Sequence, residues 1–134
     1  MISLKQQTFS KAERLTNLRT IESLFKRGSE ELRSFYIFPF RVVYKGDCRA
    51  LPPPMLPQVL FSVSKRNFKK AVDRNRIRRR CREAYRLQKR ILTELPPENR
   101  PAYIAFLYIA KETADYAVIE KAMRKSLQKM TLVD

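Results

Sequence analysis

The chain of 134 residues carries 29 Lys and Arg residues against 13 Asp and Glu, which gives a formal net charge of +16 at pH 7. This length suits one compact domain, and 44% hydrophobic residues are enough for a modest core. Histidine is absent, and only two cysteines and two glycines occur. The composition therefore excludes His-dependent catalytic triads, a four-cysteine zinc site and glycine-rich nucleotide-binding loops.

Composition also bears on where the protein works and what it binds. No run of about 18 apolar residues occurs, and the first residues lack the apolar stretch of a signal peptide. We therefore expect an intracellular, cytoplasmic protein that does not enter a membrane. The large positive charge indicates a polyanionic partner.

The first predicted element is a helix at about 11–27. Ser10 and Glu13 fit a capping box at its start, and Gly28 follows its last turn as a C-terminal cap. Apolar residues recur at helical spacing between these two signals. We expect residues 1–8 to be flexible.

Two β-branched and aromatic segments predict the next strands, Phe35–Tyr44 and Val59–Ser64. Pro39 lacks a backbone N–H, which favours an edge position or a bulge for the first of them. The residues between the strands form a Pro-rich loop over 45–58, with room for a short strand at Arg49–Leu51.

The last predicted elements are an apolar strand, Tyr103–Ala110, and a helix that Asp115 caps and that ends near Lys129. A basic helix, described next, precedes this strand. The element order is therefore α-β-β(-β)-α-β-α. It predicts an α+β fold, a single α/β sandwich domain over residues 1–134 with three helices on a small mixed sheet.

The segment Lys65–Arg90 contains 13 basic residues against Asp73 and Glu83, so it supplies +11 of the net charge. Its helical projection places Ile77 and Tyr85 on one nearly apolar face. We interpret the two acidic residues as local salt-bridge partners. The opposite face is predicted to carry Asn75, Arg78, Arg79, Arg82, Arg86, Lys89 and Arg90.

This basic face repels itself, because arginines recur four residues apart from Arg74 to Arg90. Each such like-charge pair costs roughly 0.2–0.5 kcal/mol, whereas an ordinary solvated helix alternates its charges. We therefore expect a bound anion. The small apolar face disfavours a membrane surface, and the excess of arginine over lysine favours bidentate contacts with nucleic-acid phosphates. Composition does not separate RNA from DNA.

The central segment resembles the signature of the bacterial ribonuclease P protein subunit. In that signature an S-V-S-K strand end precedes A-x-x-R-N-R, a hydrophobic residue and a basic run that ends in Arg-Glu. Here these are Ser62–Lys65 and Ala71–Glu83. The segments Phe9–Leu15 and Phe25–Gly28 resemble the opening helix of the same family.

The resemblance implies a four-stranded sheet with a left-handed crossover that carries the arginine motif. It also implies a protein subunit of an endoribonuclease with no catalytic residue of its own. The partners it implies are the catalytic RNA subunit and precursor tRNA, with no membrane and no obligate protein partner. Mg²⁺ for removal of the 5′ leader is expected mainly on the RNA subunit.

Two sets of site residues follow from the resemblance. Contacts with the RNA subunit are implied at Lys65, Arg66, Lys69, Lys70, Arg74, Asn75, Arg76, Arg78, Arg79 and Arg82. A cleft between the first helix and the sheet is implied for the single-stranded leader, with candidate residues Ile21, Phe25, Tyr36 and Phe38. Aromatic rings suit single strands because every base can stack on them, and core packing is the alternative for each of these four side chains.

Two other classes of protein match the charge. A structural RNA-binding protein, such as a ribosomal component, has a similar composition. A DNA-binding regulator would place the arginine helix in a major groove, but it would need a helix-turn-helix pair or a dimer interface. A preference for precursor over mature tRNA distinguishes the ribonuclease P protein from both.

Overall fold

A computed structural model describes residues 14, 32–45, 57–94, 101 and 103–130. Within these residues the α+β class is confirmed, with a four-stranded mixed sheet and three helices. The predicted helix at 11–27 (apart from Arg14), the short strand at Arg49–Leu51 and residues 1–8 lie outside the described residues. The elements are β1 (Leu32–Ile37), β2 (Phe40–Lys45), β3 (Gln58–Val63), α1 (Ala71–Gln88), α2 (Arg90–Thr93), β4 (Tyr103–Tyr108) and α3 (Tyr116–Met130).

The sheet has the strand order β1-β2-β4-β3. β2 pairs antiparallel with both β1 and β4, whereas β3 and β4 are parallel. Parallel neighbours need a long crossover connection, and α1 and α2 lie within it along the chain. The basic segment therefore forms the crossover, as expected. Its left-handed sense stays a prediction of the resemblance.

The prediction of one strand over Phe35–Tyr44 is wrong, because this segment folds into a hairpin. Phe38 and Pro39 form the turn between β1 and β2, and the peptide bond that joins them is cis. At a turn the missing N–H of proline costs no hydrogen bond of the sheet. The Pro39 carbonyl accepts a 2.9 Å hydrogen bond from the Ile109 N–H, which ties the turn to the end of β4.

A helix that starts at residue 11 would include Arg14, but the structure places Arg14 in a β-bridge. It forms an isolated parallel β-bridge with Val59 of β3. Because β4 pairs with the other side of β3, Arg14 lies at the outer edge of the sheet. This places a basic residue from the N-terminal part of the chain beside the strand that leads into α1.

The main core lies between one face of the sheet and the helices α1 and α3. Phe61 and Phe106 stack with their ring centroids 5.4 Å apart, and Tyr85 of α1 packs 5.9 Å from Phe61. The predicted apolar face of the basic helix is confirmed, since it is this face that is buried. The buried residues of α1 are Ile77, Cys81, Ala84 and Tyr85, and those of α3 are Ile119, Ala122, Met123, Ser126, Leu127 and Met130.

The prediction that Lys89 lies on the exposed basic side of the helix is wrong, because only 1% of its surface is exposed. α1 ends at Gln88, and the Lys89 N–H donates a 2.8 Å hydrogen bond to the Tyr85 carbonyl as the chain turns into α2. From this point the angular projection of α1 no longer applies. The turn also brings Leu92 of α2 fully into the core. In the described part of the chain, no helix is long and apolar enough to cross a membrane.

We predict that Cys81 is chemically inert in the folded protein. Burial raises the pKa of its thiol to about 12, and the nearby charge of Arg82 offsets this only in part. In a Cys48→Ser background, a disulfide reagent at pH 8 should therefore label Cys81 only after denaturant is added. Rapid labelling of the native protein would contradict this prediction.

The same shift predicts how stability depends on pH. Between the ordinary thiol pKa of 9.0 and the folded pKa of about 12, the folded protein keeps the Cys81 proton that the unfolded chain releases. The contribution of this group to the free energy of unfolding is thus present below pH 9 and lost as pH rises toward 12. Denaturant unfolding of Cys81→Ala beside the parent protein isolates this contribution.

Candidate nucleic-acid interface

The ten residues predicted to contact RNA fall in two adjoining parts of the structure. Four of them lie in the turn over 65–70, and six lie in the N-terminal two-thirds of α1. Arg74 and Arg78 are half-buried and the other eight are exposed. We call these eight the basic face: Lys65, Arg66, Lys69, Lys70, Asn75, Arg76, Arg79 and Arg82.

Local hydrogen bonds and one buried aromatic ring hold the turn over 65–70 in place. The Ser64 carbonyl accepts a 3.0 Å hydrogen bond from the Phe68 N–H, and the Ser64 hydroxyl accepts one of 3.0 Å from the Arg66 N–H. The Phe68 ring is buried 5.9 Å from the ring of Tyr108. The cations of the turn therefore project from a backbone that is anchored to the core.

Besides Arg86, which donates to Glu83, three arginines of α1 donate hydrogen bonds within the protein. Arg74 Nη1 donates to the carbonyls of Phe68 and Lys69, at 2.7 and 2.9 Å. Arg78 Nη2 donates to Asn75 Oδ1 at 2.7 Å. Arg80 Nη1 donates to the carbonyl of Ala114 at 2.8 Å, which joins α1 to the segment between β4 and α3. The contacts of Arg74 and Arg80 are made to backbone carbonyls outside the helix, so charge spacing in the sequence gives no signal for them.

Like charges meet where α1 passes the outer edge of β3. Partial burial lowers the pKa of Arg82, and the guanidinium groups of Arg14 and Arg78 lower it further. Arginine stays protonated in spite of such a shift, so the three positive charges remain close together. A phosphate group at this place would relieve their repulsion.

The two acidic residues of α1 have different surroundings. Glu83 forms the predicted salt bridge with Arg86, and the hydrogen bond from Arg86 lowers the pKa of the Glu83 carboxyl. The same prediction is wrong for Asp73, which forms no ion pair with another described residue. Asp73 lies in the first turn of α1, where the positive end of the helix dipole stabilises a negative charge.

The structure separates the two described candidates for the leader cleft. Tyr36 is 66% exposed and Phe38 is 68% exposed, so neither belongs to the core. Phe38 lies in the hairpin turn and lines a cavity of about 490 Å³ with residues 110–115 and Val118, whereas Tyr36 is not part of that lining. The other two candidates, Ile21 and Phe25, lie outside the described residues.

Arg41 is a candidate that the sequence interpretation missed. It pairs with Tyr36 across β1 and β2, and its guanidinium carbon lies 5.8 Å from the centre of the Tyr36 ring. Its Nε is buried without a hydrogen-bond partner. The one available signal was a lone charge in the otherwise apolar start of β2. Tyr36 and Arg41 together offer a ring for a base and a cation for a phosphate.

The residues that the structure describes contain no group of three or more His, Cys, Asp or Glu side chains that could hold a metal ion. The basic face instead presents donors of hydrogen bonds and positive charge. Such a surface suits the binding of phosphates, which accept hydrogen bonds and carry negative charge.

Comparison with known proteins identifies the family. A family model described as Ribonuclease P matches residues 9–131. The chain belongs to the ribonuclease P protein family. The resemblance seen in the arginine motif is thereby confirmed, and it extends over nearly the whole chain. This family provides the protein component of an endoribonuclease complex that processes tRNA.

Curated relatives are similar along most of their length. The ribonuclease P protein component of Porphyromonas gingivalis (strain ATCC 33277) is 40% identical over 121 residues, which cover 88% of this chain and 82% of the relative. That of Chlorobium phaeobacteroides is 37% identical over 115 residues, covering 81% and 77%. That of Chlorobaculum tepidum is 36% identical over 100 residues, covering 70% and 62%. No solved structure matches the chain.

Proposed function

We propose that this protein binds the catalytic RNA subunit of ribonuclease P through its basic face and holds the 5′ leader of precursor tRNA beside Tyr36. The observation that carries the proposal is the outward row of Arg76, Arg79 and Arg82 on α1. None of the three forms a salt bridge with another described residue. Their charges are therefore available to a partner.

The spacing of this row suits an RNA backbone. At about 1.5 Å of rise per residue, the row from Arg76 to Arg82 is ~9 Å long, which is enough for a few adjacent phosphates. A guanidinium group can donate two parallel hydrogen bonds to one phosphate. The exposed cations of the turn over 65–70 extend the same surface toward the N-terminus of α1.

The protein contributes to the reaction by binding. In the proposed complex Mg²⁺ would be held mainly by the RNA subunit, and when bound there it would supply the activation of water for hydrolysis of the phosphodiester bond. The basic face lowers the repulsion between the RNA subunit and the precursor, since both carry dense negative charge. The protein is therefore part of an endoribonuclease whose active site is on the RNA.

The leader is assigned to the Tyr36 side of the hairpin because an exposed aromatic ring and a guanidinium group lie together there. An exposed ring can stack on any base, so it accepts leaders of different sequence. The neighbouring guanidinium of Arg41 can contact a phosphate of the same strand. The Phe38 cavity lacks this pairing, because it is lined by one lysine and two acidic residues together with small and apolar side chains.

The deciding experiment is cleavage of precursor tRNA by the RNA subunit of the same organism, with and without this protein. The Mg²⁺ concentration should be low enough that the RNA alone is nearly inactive. We expect the protein to restore cleavage at the mature 5′ end, and to do so best for precursors with a long leader. Tight RNA binding without restored cleavage would instead indicate a structural RNA-binding protein.

Removal of one exposed cation of α1 should weaken assembly with the RNA subunit. For Arg76→Ala we expect affinity to fall about 3- to 10-fold and the slope of log affinity against log salt concentration to drop by about one. The fold should be unchanged, because the Arg76 side chain is exposed. Affinity is measured by filter binding over a range of KCl concentrations.

The matched control for Arg76→Ala is Lys125→Ala, which removes an exposed cation from α3. If total charge alone governs binding, the two variants will lose the same affinity. If the basic face is the contact surface, Lys125→Ala will remain close to the parent protein. Equal losses would contradict the proposed surface.

Tyr36→Ala should impair only the binding of the leader. Stacking of one base on an aromatic ring contributes about 1–3 kcal/mol, so the holoenzyme should lose roughly that much of its preference for long-leader over short-leader precursors. Tyr36→Phe keeps the ring and should keep the preference. An unchanged preference in Tyr36→Ala would remove Tyr36 from the leader site. The measurement is the dissociation constant of each precursor in Ca²⁺, which slows cleavage.

A further inference from the structure

The Arg74 side chain is hydrogen-bonded to the backbone of the turn that precedes α1. Nη1 of its guanidinium donates to two successive carbonyls, those of Phe68 and Lys69. Since Nη1 carries two N–H groups, both are used in these bonds. The side chain thus reaches back from the first turns of α1 to close the turn that precedes the helix.

That turn carries a dense group of positive charges. Lys65, Arg66, Lys69 and Lys70 are all exposed within six residues. Their mutual repulsion favours an open backbone, which the bonds at Ser64 and the buried ring of Phe68 oppose. Lys70, the residue before α1, provides no side-chain cap for the helix. The contacts of Arg74 are therefore the ones that join the turn to α1 through a side chain.

We propose that Arg74 is a positioning residue, which fixes the turn over 65–70 against α1 so that its cations and those of the helix meet the RNA as one rigid surface. This inference rests on the proposed function and names how that surface is built. Rigidity matters for affinity because a surface already arranged for its ligand loses less conformational entropy on binding.

A contact of Arg74 with phosphate through its charge alone makes a different prediction. If only its charge mattered, lysine would replace it with little loss. Lysine keeps the net charge of the chain at +16 but lacks the planar pair of N–H groups that spans two carbonyls. The Arg74→Lys variant therefore separates positioning from charge, and Arg124, which is exposed on α3 and is not part of the basic face, provides the matched comparison.

The first measurement is the affinity of Arg74→Lys, Arg74→Ala and Arg124→Lys for the transcribed RNA subunit over a range of KCl concentrations. We expect Arg74→Lys to lose about tenfold in affinity, nearly as much as Arg74→Ala, whereas Arg124→Lys keeps the affinity of the parent protein. We also expect the salt slope of Arg74→Lys to fall by about one or more although no charge is lost. An Arg74→Lys variant with the affinity and slope of the parent protein would overturn the proposal.

The second measurement is amide hydrogen exchange of the free protein. In Arg74→Lys, exchange should become faster at residues 65–70 and stay unchanged in β4, while Arg124→Lys should match the parent protein at both. This measurement needs no RNA, so it tests whether Arg74 fixes the turn over 65–70 even if the RNA subunit does not bind. Unchanged exchange at residues 65–70 would overturn the proposal, and so would faster exchange throughout the protein, because a positioning role of Arg74 predicts a local effect.

A double-mutant cycle gives a third, independent test. If Arg74 positions Lys69, then Lys69→Ala should lower RNA affinity less in the Arg74→Lys background than in the parent protein. If the two residues contact RNA separately, the losses will be additive and the positioning role is excluded. Lys125→Ala in the same two backgrounds serves as the control that should show no coupling.

Discussion

The packing of one face of α1 on the sheet is the interaction on which the rest of the structure depends. Ile77 and Tyr85 are fully buried, and the Tyr85 ring lies against Phe61 and Phe106. Full burial of one such side chain contributes roughly 1.5–3 kcal/mol. Each like-charge pair on the outer face costs only roughly 0.2–0.5 kcal/mol. The helix can therefore hold a row of arginines that would destabilise it in isolation.

The arginines of α1 have different roles, although the sequence presents them as one run. Arg74, Arg78 and Arg80 donate hydrogen bonds to the protein itself, two of them to backbone carbonyls outside the helix. Arg76 and Arg79 point outward without such partners. The two roles complement each other. The outward arginines repel one another, and the arginines bonded within the protein help to keep the backbone that carries them rigid.

Local periodicity explains which features could be predicted from the sequence. The basic helix and the last helix were predicted because their apolar stripes repeat at helical spacing, and the arginine motif led to the family. The hairpin at Pro39 was missed, since one apolar run gives no sign of where two strands divide. The burial of Lys89 and the contacts of Arg74 depend on where the chain turns in three dimensions. Strand alternation would have placed Arg41 beside Tyr36 only once the hairpin register was known.

The sheet also sets the distance between the two proposed RNA contacts. α1 and Arg14 adjoin β3 at one edge, whereas Tyr36 lies on β1 at the other edge, three strand spacings or ~14 Å away. Tyr36 and Arg41 project from the face opposite the core, and a shift of β1 by one residue against β2 would turn Tyr36 toward the core. The buried Phe35 on β1 opposes that shift, because the shift would turn its ring away from the core. The core that supports the basic face therefore also keeps Tyr36 and Arg41, the pair proposed to bind the leader, on the opposite side of the sheet, at a fixed separation from α1.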